Sequence, residues 1–410
     1  MAEYQRALAL LRRAGDRKQE VATLLGLANV YGWAHKTEQV FATVNEALSI
    51  AVEIGDTAGQ AGCHALRGEA TGSVYGPTAE AVRDSSDALR LAREAGNPRV
   101  LAQCLVFSGR HSAWRGDYDV ATRNLREGLE LARHEHAGYL MGLALYHLGH
   151  NDLARGDYEG ALAHYRALVE YAEAAGDKLY LSRLPNLFGG VALELYDLDG
   201  AIRYNSEGDE AGQRLWPWPE PRGHALWKLG LAQLYSGNHG RADRAFHDAE
   251  ALRDLDVWGR FTWEVSLWRS RGELALAEGK HDEAWTWATR SLEAATRCHQ
   301  RKHVARALRL QGGVLAAQGR LEDAARALTA SLEGARELGA TRESWIGHAV
   351  LGDVLGRLGR DEDAEKHLGA GADAVEAIAA KLVTPRLRRS FLAAEPVVRV
   401  FQTLGRRAPG

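Results

Sequence analysis

The 410-residue sequence contains little cysteine and no long apolar run. Its three cysteines, Cys63, Cys104 and Cys298, are too few and too widely spaced for a disulfide framework or a cysteine metal site, so we expect buried free thiols. No eighteen consecutive residues are apolar, which excludes a membrane-spanning helix, and the formal net charge of -3 argues against a membrane as partner. The first residues place their basic side chains after the apolar stretch and lack a cleavage signal, so we predict a cytoplasmic location.

Catalytic motifs are also missing from the sequence. It contains no phosphate-binding loop of the G-x-x-x-x-G-K-[ST] type, no G-x-S-x-G elbow and no H-E-x-x-H pair. His147 and His150 share one helix face, but no third metal ligand accompanies them. We therefore predict no enzymatic activity, no cofactor and no metal site.

The charge balance excludes a broad attraction to polyanions. Lysine and arginine together number 51 and aspartate and glutamate 54, which leaves a formal net charge of -3. A strongly basic surface is what general nucleic-acid binding requires. Nucleic acid is therefore a disfavoured partner.

What the sequence does contain is a glycine that returns every 40–42 residues. A glycine inside a helix costs about 1 kcal/mol relative to alanine, so its recurrence needs a steric reason. We predict that it lets two paired helices approach closely, and that an alanine twelve residues later, such as Ala161, does the same for the second helix. The nine glycines are Gly26, Gly68, Gly109, Gly149, Gly189, Gly230, Gly272, Gly312 and Gly352.

A turn signal lies between each glycine and its alanine. It is clearest as Gly116-Asp117-Tyr118 and as Gly156-Asp157-Tyr158. Glycine just after a helix and aspartate just before the next one are stop and start signals. Each copy therefore predicts a helix, a tight turn and a second helix.

These motifs resemble the tetratricopeptide repeat family, whose helix pairs carry Leu-Gly, then Gly-x-Tyr, then Ala at matching offsets. The resemblance implies an all-α fold, an α-solenoid in which antiparallel helix pairs form a right-handed superhelix. The usual period of that family is about 34 residues, and periods near 40 are also typical of HEAT and armadillo arrays. The Gly-Asp-Tyr turn and the downstream alanine favour a long-helix tetratricopeptide type, similar to the C-terminal regions of large bacterial signalling and regulatory proteins.

The repeat pattern predicts three segments. Residues 16–380 hold nine repeats, and residues 381–410 form basic capping helices and a tail. Residues 1–15 read as a second helix without its mate, which would expose an apolar face. Either Met1 is a fragment boundary or something else covers that face. A longer form would join the array to an upstream effector or ATPase domain.

When the half repeat in residues 1–15 is counted as the first, the sixth repeat, Lys178 to Trp216, deviates from the others. Pro185 falls inside its first helix and should kink it, and Gly208 and Gly212 should weaken its second helix. A proline-rich stretch, 216–221, follows. Eight of the eleven tryptophans lie between Trp216 and Trp287. They either pack a distorted joint or line an aromatic pocket.

A stripe of positions along the first helix of each repeat is the predicted ligand wall. Its positions lie six before, three before and one after the repeat glycine, and the resemblance implies that they line the concave groove. Arginines that merely pair locally are the alternative reading of this stripe. The predicted ligand-binding residues are Arg110, Tyr146, His150, Arg183, Asn186, His224, Trp227, Arg269, Arg306 and Arg309.

The function predicted from these observations is that of a non-catalytic scaffold. It would bind a protein or peptide as the sensing or docking module of a bacterial signalling or transcription-regulating protein. Because the guanidinium group pairs in a two-pronged manner with carboxylates, the favoured partner is an acidic segment or a chain-terminal carboxylate. The alternative is a sensor that holds a small anionic effector near the kinked sixth repeat.

Overall fold

A computed structural model describes residues 1–216, 218–254 and 258–407, and all the regular structure in these residues is helical. The chain divides into two compact units. Unit 1 comprises Met1–Leu148 and, of the later residues, Trp258 and Gly259, and unit 2 comprises the remaining described residues. The first helices are α1 (Ala2–Ala14), α2 (Arg17–Trp33), α3 (Thr37–Glu53), α4 (Thr57–Tyr75), α5 (Ala79–Ala95), α6 (Pro98–Arg115), α7 (Tyr118–His134) and α8 (Gly138–Arg155), within which the unit boundary falls.

Unit 2 continues with thirteen α-helices among its described residues and a short 3-10 turn at Leu252–Asp254. The helices are α9 (Tyr158–Ala175), α10 (Lys178–Glu194), α11 (Leu198–Leu215), α12 (Glu220–Tyr235), α13 (His239–Ala251), α14 (Phe261–Ala277), α15 (His281–Arg297), α16 (Arg301–Ala317), α17 (Leu321–Glu337), α18 (Thr341–Arg357), α19 (Asp361–Lys381), α20 (Pro385–Ala393) and α21 (Glu395–Thr403). Helices α2–α19 follow one another as nine pairs. We propose that each pair is one repeat, with α1 unpaired and α20–α21 as the cap.

Turn residues set the ends of these helices as the sequence predicts. The Asp157 side chain accepts a hydrogen bond from the backbone N–H of Gly160 and so caps α9. Gly156, just before it, adopts φ 81°, a conformation that glycine reaches without a steric penalty. The predicted helix, tight turn and helix are thus formed by local chemistry.

Four turns make the same bend with a residue other than glycine. His35, His136, Tyr196 and His299 have φ between 51° and 57°. Residues with a Cβ seldom adopt this region, and its strain costs of order 1–3 kcal/mol. The sequence showed that Tyr196 replaces a turn glycine, but it did not show that the turn is kept.

The repeat glycines pack as predicted, although their neighbour is a side chain more often than backbone. A Cβ built on Gly149 would lie 2.3 Å from Cε1 of Tyr165, sixteen residues later, and one on Gly230 would lie 2.4 Å from Cε1 of Phe246. The same sixteen-residue relation joins Gly109 to Leu125. The repeat glycine therefore leaves the space that a large side chain of the second helix fills.

First helices of successive pairs also contact one another, which places them in one layer within each unit. In unit 1, α2 contacts α4 and α4 contacts α6, and in unit 2 the series runs through α10, α12, α14, α16 and α18. The predicted ligand stripe is carried by these helices. No helix among the described residues has an apolar stretch long enough to cross a bilayer.

The sixth repeat is more regular than its sequence predicts. Helix α10 continues through Pro185, and α11 runs for 18 residues without a break. A Cβ on Gly208 would lie 3.2 Å from Cβ of Asn186, and one on Gly212 would lie 2.6 Å from Cγ of Arg222. These glycines permit close packing, which compensates for their low helix propensity.

The residues of the proline-rich stretch and the tryptophans lie in different environments. Helix α12 begins at Glu220, with Pro221 in its first turn, whereas Pro217 lies outside the described residues. Trp263 is fully buried and Trp268 nearly so. Trp216 and Trp218 line a small recess of about 390 Å³. Core packing therefore accounts for Trp263 and Trp268, whereas Trp216 and Trp218 line a recess.

Unit 2 also contains contacts between residues far apart in the chain, which we call the closing contact. Residues 155–159 and 194–197 form one side of it, and residues 341–345 and 383–386 form the other. Glu159 Oε1 accepts hydrogen bonds from the backbone N–H groups of Val383 (3.0 Å) and Thr384 (2.9 Å). Thr341 Oγ1 donates to the carbonyl oxygen of Arg155 at 3.1 Å. The end of unit 2 is thereby fastened to its beginning.

Candidate functional site

Two of the ten predicted ligand residues lie in unit 1. Arg110, on α6, pairs with Glu69 and donates to Oγ of Ser73 at 2.9 Å. Its guanidinium carbon lies 4.4 Å from the centre of the Trp114 ring. Tyr146, on α8, is buried in the same unit. Arg110 is therefore engaged by neighbouring helices, as the local-pairing alternative anticipated.

The other eight predicted residues lie in unit 2, where His150 is on α8 and the rest are on α10, α12, α14 and α16. Arg183 Nη2 lies 2.8 Å from Glu220 Oε2. The second oxygen of this carboxylate lies 3.4 Å from Nε2 of His224. Glu220 is thus shared between an arginine of one first helix and a histidine of its own helix.

Asn186 and Trp227 flank a lysine that the sequence analysis did not select. Lys228 Nζ donates to the backbone oxygen of Asn186 at 3.0 Å and to its Oδ1 at 3.1 Å. The same ammonium group lies 5.6 Å from the centre of the Trp227 ring. Both hydrogen-bond partners are neutral, so this buried charge has no directly bonded carboxylate among the described residues.

Glu343 is the centre of a buried ion-pair group in unit 2. Its Oε1 accepts a hydrogen bond from Nε of Arg306 at 2.6 Å, and its Oε2 pairs with Arg309. Arg306 also reaches Oε1 of Glu194 on α10 at 2.9 Å, and Arg342 donates to the backbone oxygen of Glu194 at 3.4 Å. Burial acts to raise the pKa of Glu343, but the three arginines hold that pKa well below its ordinary value.

Arg269 has a weaker set of partners. It is 4% exposed and pairs with Glu273, which also accepts a hydrogen bond from the hydroxyl of Tyr235 at 2.9 Å. Its Nε is buried without a hydrogen-bond partner in the described residues. Burial, with the charges of Arg306 and Arg309, lowers the pKa of Arg269 to about 10.

The inner residues of unit 2 form one electrostatic neighbourhood. The pKa of His224 is lowered well below its ordinary value by burial and then by Lys228, His150, Arg183 and His303. The pKa of His303 is lowered in the same way by burial, Arg306, Lys302 and Arg269. We name this neighbourhood the basic cluster. It contains the seven cations Arg183, Lys228, Arg269, Lys302, Arg306, Arg309 and Arg342 and the four carboxylates Glu194, Glu220, Glu273 and Glu343.

Burial disfavours the charged form of the two lysines of the basic cluster. Burial is the main cause that lowers the pKa of Lys228 to about 8. Burial and the charge of Arg306 lower the pKa of Lys302 to about 8 as well. Because each is held below the ordinary lysine value of 10.5, the folded state disfavours the charged ammonium form.

We expect Lys302→Met to stabilise the protein at pH 7 by up to about 3 kcal/mol. The sign follows from linkage: between pH 8 and 10.5 the unfolded chain binds more protons at this lysine, so the wild-type penalty disappears as pH rises through that window. Urea unfolding at pH 7 and pH 10 measures the difference in stability between the variant and the wild type. If Lys302→Met raised the free energy of unfolding equally at both pH values, the assigned charge penalty would be contradicted. Lys366→Met, which changes a lysine at an exposed position, is the control.

Sequence reasoning missed Glu194, Glu220 and Glu343, which hold the arginines in place. The predicted stripe ended six residues before and one residue after each glycine, whereas Glu343 lies nine before Gly352 and Glu194 five after Gly189. Extending the stripe by one helical turn in each direction would have included both. Among the described residues, no group of three histidine, cysteine, aspartate or glutamate side chains is arranged to hold a metal ion.

Comparison with known proteins identifies the repeat type. The family model of the tetratricopeptide repeat matches residues 263–337, a segment that contains most of α14 and all of α15–α17. Among curated proteins, no sequence matches the chain.

Solved structures resemble most of the chain. A Rap protein complexed with competence and sporulation factor has a TM-score of 0.68 at 14% identity, covering 89% of this chain and 99% of its own. The Rap conjugation gene regulator of plasmid pLS20, solved with a peptide, has a TM-score of 0.57 at 14% identity, covering 88% and 96%. A signal transduction ATPase with a tetratricopeptide repeat sensor, from Pyrococcus horikoshii, has a TM-score of 0.50 at 14% identity, and the match covers 92% of this chain and 55% of that one. At these identities the likeness shows the fold.

Proposed function

We propose that this chain, an α-solenoid of tetratricopeptide-type repeats, is a regulatory scaffold that binds an acidic peptide or protein segment at the basic cluster of unit 2. The two Rap structures were solved with a factor or a peptide bound, and the ATPase carries its repeats as a sensor. The shared fold supports the proposal, and the chemistry of the ligand is argued from this chain alone.

The observation that carries the proposal is the uncompensated charge of the basic cluster. Seven cations face four carboxylates on the layer of first helices, and the arginine Arg269 retains a buried Nε without a partner in the described residues. A carboxylate that entered this neighbourhood would accept hydrogen bonds from charged donors and reduce the repulsion among them. An anionic ligand is therefore the favoured one.

A small anionic effector is the second candidate, favoured by the burial of the same residues. Arg306 is 7% exposed, Trp227 9% and Asn186 2%. The sequence had predicted a ligand wall that faces a groove, whereas these three residues are buried in the structure, and Arg306 is held by Glu194 and Glu343. An enclosed set of cations suits a small ligand, which needs less space than a peptide.

A fluorescein-labelled octaglutamate peptide tests the first candidate. We expect fluorescence anisotropy to show binding that weakens with added salt, because ionic attraction is screened. Lys302→Met should weaken this binding about tenfold, a change of about 1.4 kcal/mol, while keeping or raising stability. Lys366→Met, which removes an equal charge outside the cluster, should bind as the wild type does.

The controls separate the two candidates. Citrate and inorganic phosphate are offered in a thermal-shift assay, since a ligand that binds the folded protein raises the unfolding temperature, and the shift grows with the logarithm of ligand concentration relative to Kd. Stabilisation by these anions without octaglutamate binding would favour the small effector. Equal weakening by Lys302→Met and Lys366→Met would contradict the basic cluster as the binding site.

A further inference from the structure

The closing contact joins parts of unit 2 that are far apart in the chain. Glu159 is bonded to backbone groups more than 220 residues later, and Arg386 Nη2 lies 2.5 Å from Oδ2 of Asp197, the residue that caps α11. Between these contacts, the ring of Tyr196 lies 6.4 Å from that of Trp345. These groups meet because the beginning and the end of unit 2 approach each other.

The inner face of this contact is part of the basic cluster. Glu194 lies at the end of α10, beside the turn that holds Tyr196, and it pairs with Arg306 at 2.9 Å. Arg342, at the start of α18, donates to the backbone oxygen of Glu194. The closing contact and the wall residues therefore share Glu194, so separation of the two sides would uncover Arg306.

The outer face of the contact is made of interactions that water can replace. Val383 is 76% exposed, and the side chain of Arg386 is 54% exposed, whereas that of its partner Asp197 is 8% exposed. Water can reach one side of this ion pair, and such partly exposed pairs contribute little to stability. Tyr196 adds a residue with φ 57°, a strained backbone of the kind found at switch regions.

We propose that the closing contact is a gate, and that a peptide reaches the basic cluster only after residues 155–159 and 194–197 separate from residues 341–345 and 383–386. This inference rests on the proposed function, since it concerns access to the same site. The gate explains how a buried wall binds a ligand longer than one side chain. Ligand association is then limited by the population of the open state.

The structure offers a position at which the gate can be locked. A Cβ built on Gly156 would lie 3.4 Å from Cβ of Thr341, close to the separation of about 3.5–4.5 Å that a disulfide requires. Gly156 has φ 81°, but His35 and Tyr196 show that the chain tolerates larger residues at the corresponding turns. The natural cysteines Cys63, Cys104 and Cys298 are all buried, which limits their competition for the new bond.

The experiment compares oxidised and reduced Gly156→Cys/Thr341→Cys protein in stopped-flow binding of fluorescein-labelled octaglutamate. We expect oxidation to slow association about tenfold or more and reduction to restore it, because a required conformational change limits the on-rate. Wild-type protein under the same oxidant is the control and should not change. Equal rates for the oxidised and reduced double variant would overturn the gate.

A second variant covers the case in which the cysteine pair misfolds. Glu159→Ala/Arg386→Ala removes two outer contacts and leaves the basic cluster intact, so octaglutamate should associate faster than with the wild type. An unchanged or slower rate would count against the gate. This variant requires no disulfide.

Spin labels at positions 156 and 341 separate failure of the gate from failure of the proposed function. Without any peptide, we expect a minor population with a longer label distance, and peptide should enlarge it. If octaglutamate binds no form of the protein, the proposed function fails while the longer distance still supports the gate. A single short distance under all conditions overturns the gate alone.

Discussion

Replacing Glu343 by glutamine is expected to lower the free energy of unfolding by about 3–5 kcal/mol. Glutamine keeps the size of the side chain but removes the charge that Arg306, Arg309 and Arg342 surround. Removal of one partner of a buried ion group leaves the others charged and desolvated, and this is costly because the lost attraction is not replaced by water. Urea unfolding at pH 7 measures the change.

The matched control for Glu343 is Glu376→Gln. Glu376 pairs with Arg406 at 2.9 Å, but both side chains are more than 40% exposed, so we expect a loss below about 1 kcal/mol. The pKa of Glu343 is held low, so its contribution is complete above the usual glutamate pKa and is lost as pH falls through the folded-state value. Similar losses for the two variants at pH 7 would show that the Glu343 group contributes no more than a surface pair.

Gly149→Ala is expected to destabilise by about 1–3 kcal/mol, and Gly149→Leu by more. The new Cβ would lie 2.3 Å from Cε1 of Tyr165, a side chain with no exposed surface. The ring has little room to retreat, because His150 and Phe188 pack edge-on against it at centroid distances of 5.8 and 6.1 Å. Midpoints of denaturant unfolding, compared at a common slope, give the order of stability of the wild type, Gly149→Ala and Gly149→Leu.

Gly369→Ala is the control for the glycine substitution. Gly369 lies within α19 and has no described atom within 4 Å of a built Cβ, so alanine should be neutral or stabilising by up to about 1 kcal/mol. Adding Tyr165→Leu to Gly149→Ala should cost less than the sum of the single changes, because each relieves the other's misfit. Additive losses would show that the two residues do not share a contact.

Much of the fold was predictable because each repeat is specified by interactions between residues that are close in sequence. The glycine period located the first helix of each pair, and the Gly-Asp signals located the turns, since both depend on backbone conformations that few residues adopt. Tyr196 marks the limit of this reasoning. Its side chain disfavours the turn that it occupies, and only packing against Trp345 and Tyr235 accounts for its presence there.

The sequence predicted which face of the first helices carries the candidate site, but it did not predict that the arginines on that face are paired. Helical periodicity placed Arg183, Arg269 and Arg306 on one stripe, because angular position depends only on spacing along one helix. It contains no information on the rotation between successive pairs, and that rotation decides whether Glu194 can reach Arg306. The binding role of these arginines therefore remains a prediction, while their pairing across unit 2 is a structural observation.

The closing contact has a consequence for how unit 2 melts. A linear array has two free ends, and terminal repeats can fray because each has a neighbour on one side only. In unit 2 the residues around Glu159 and those around Thr384 stabilise one another, so neither end has an unsupported neighbour. While the gate is closed, the first and last pairs of unit 2 should therefore fray less than the end pairs of a linear array.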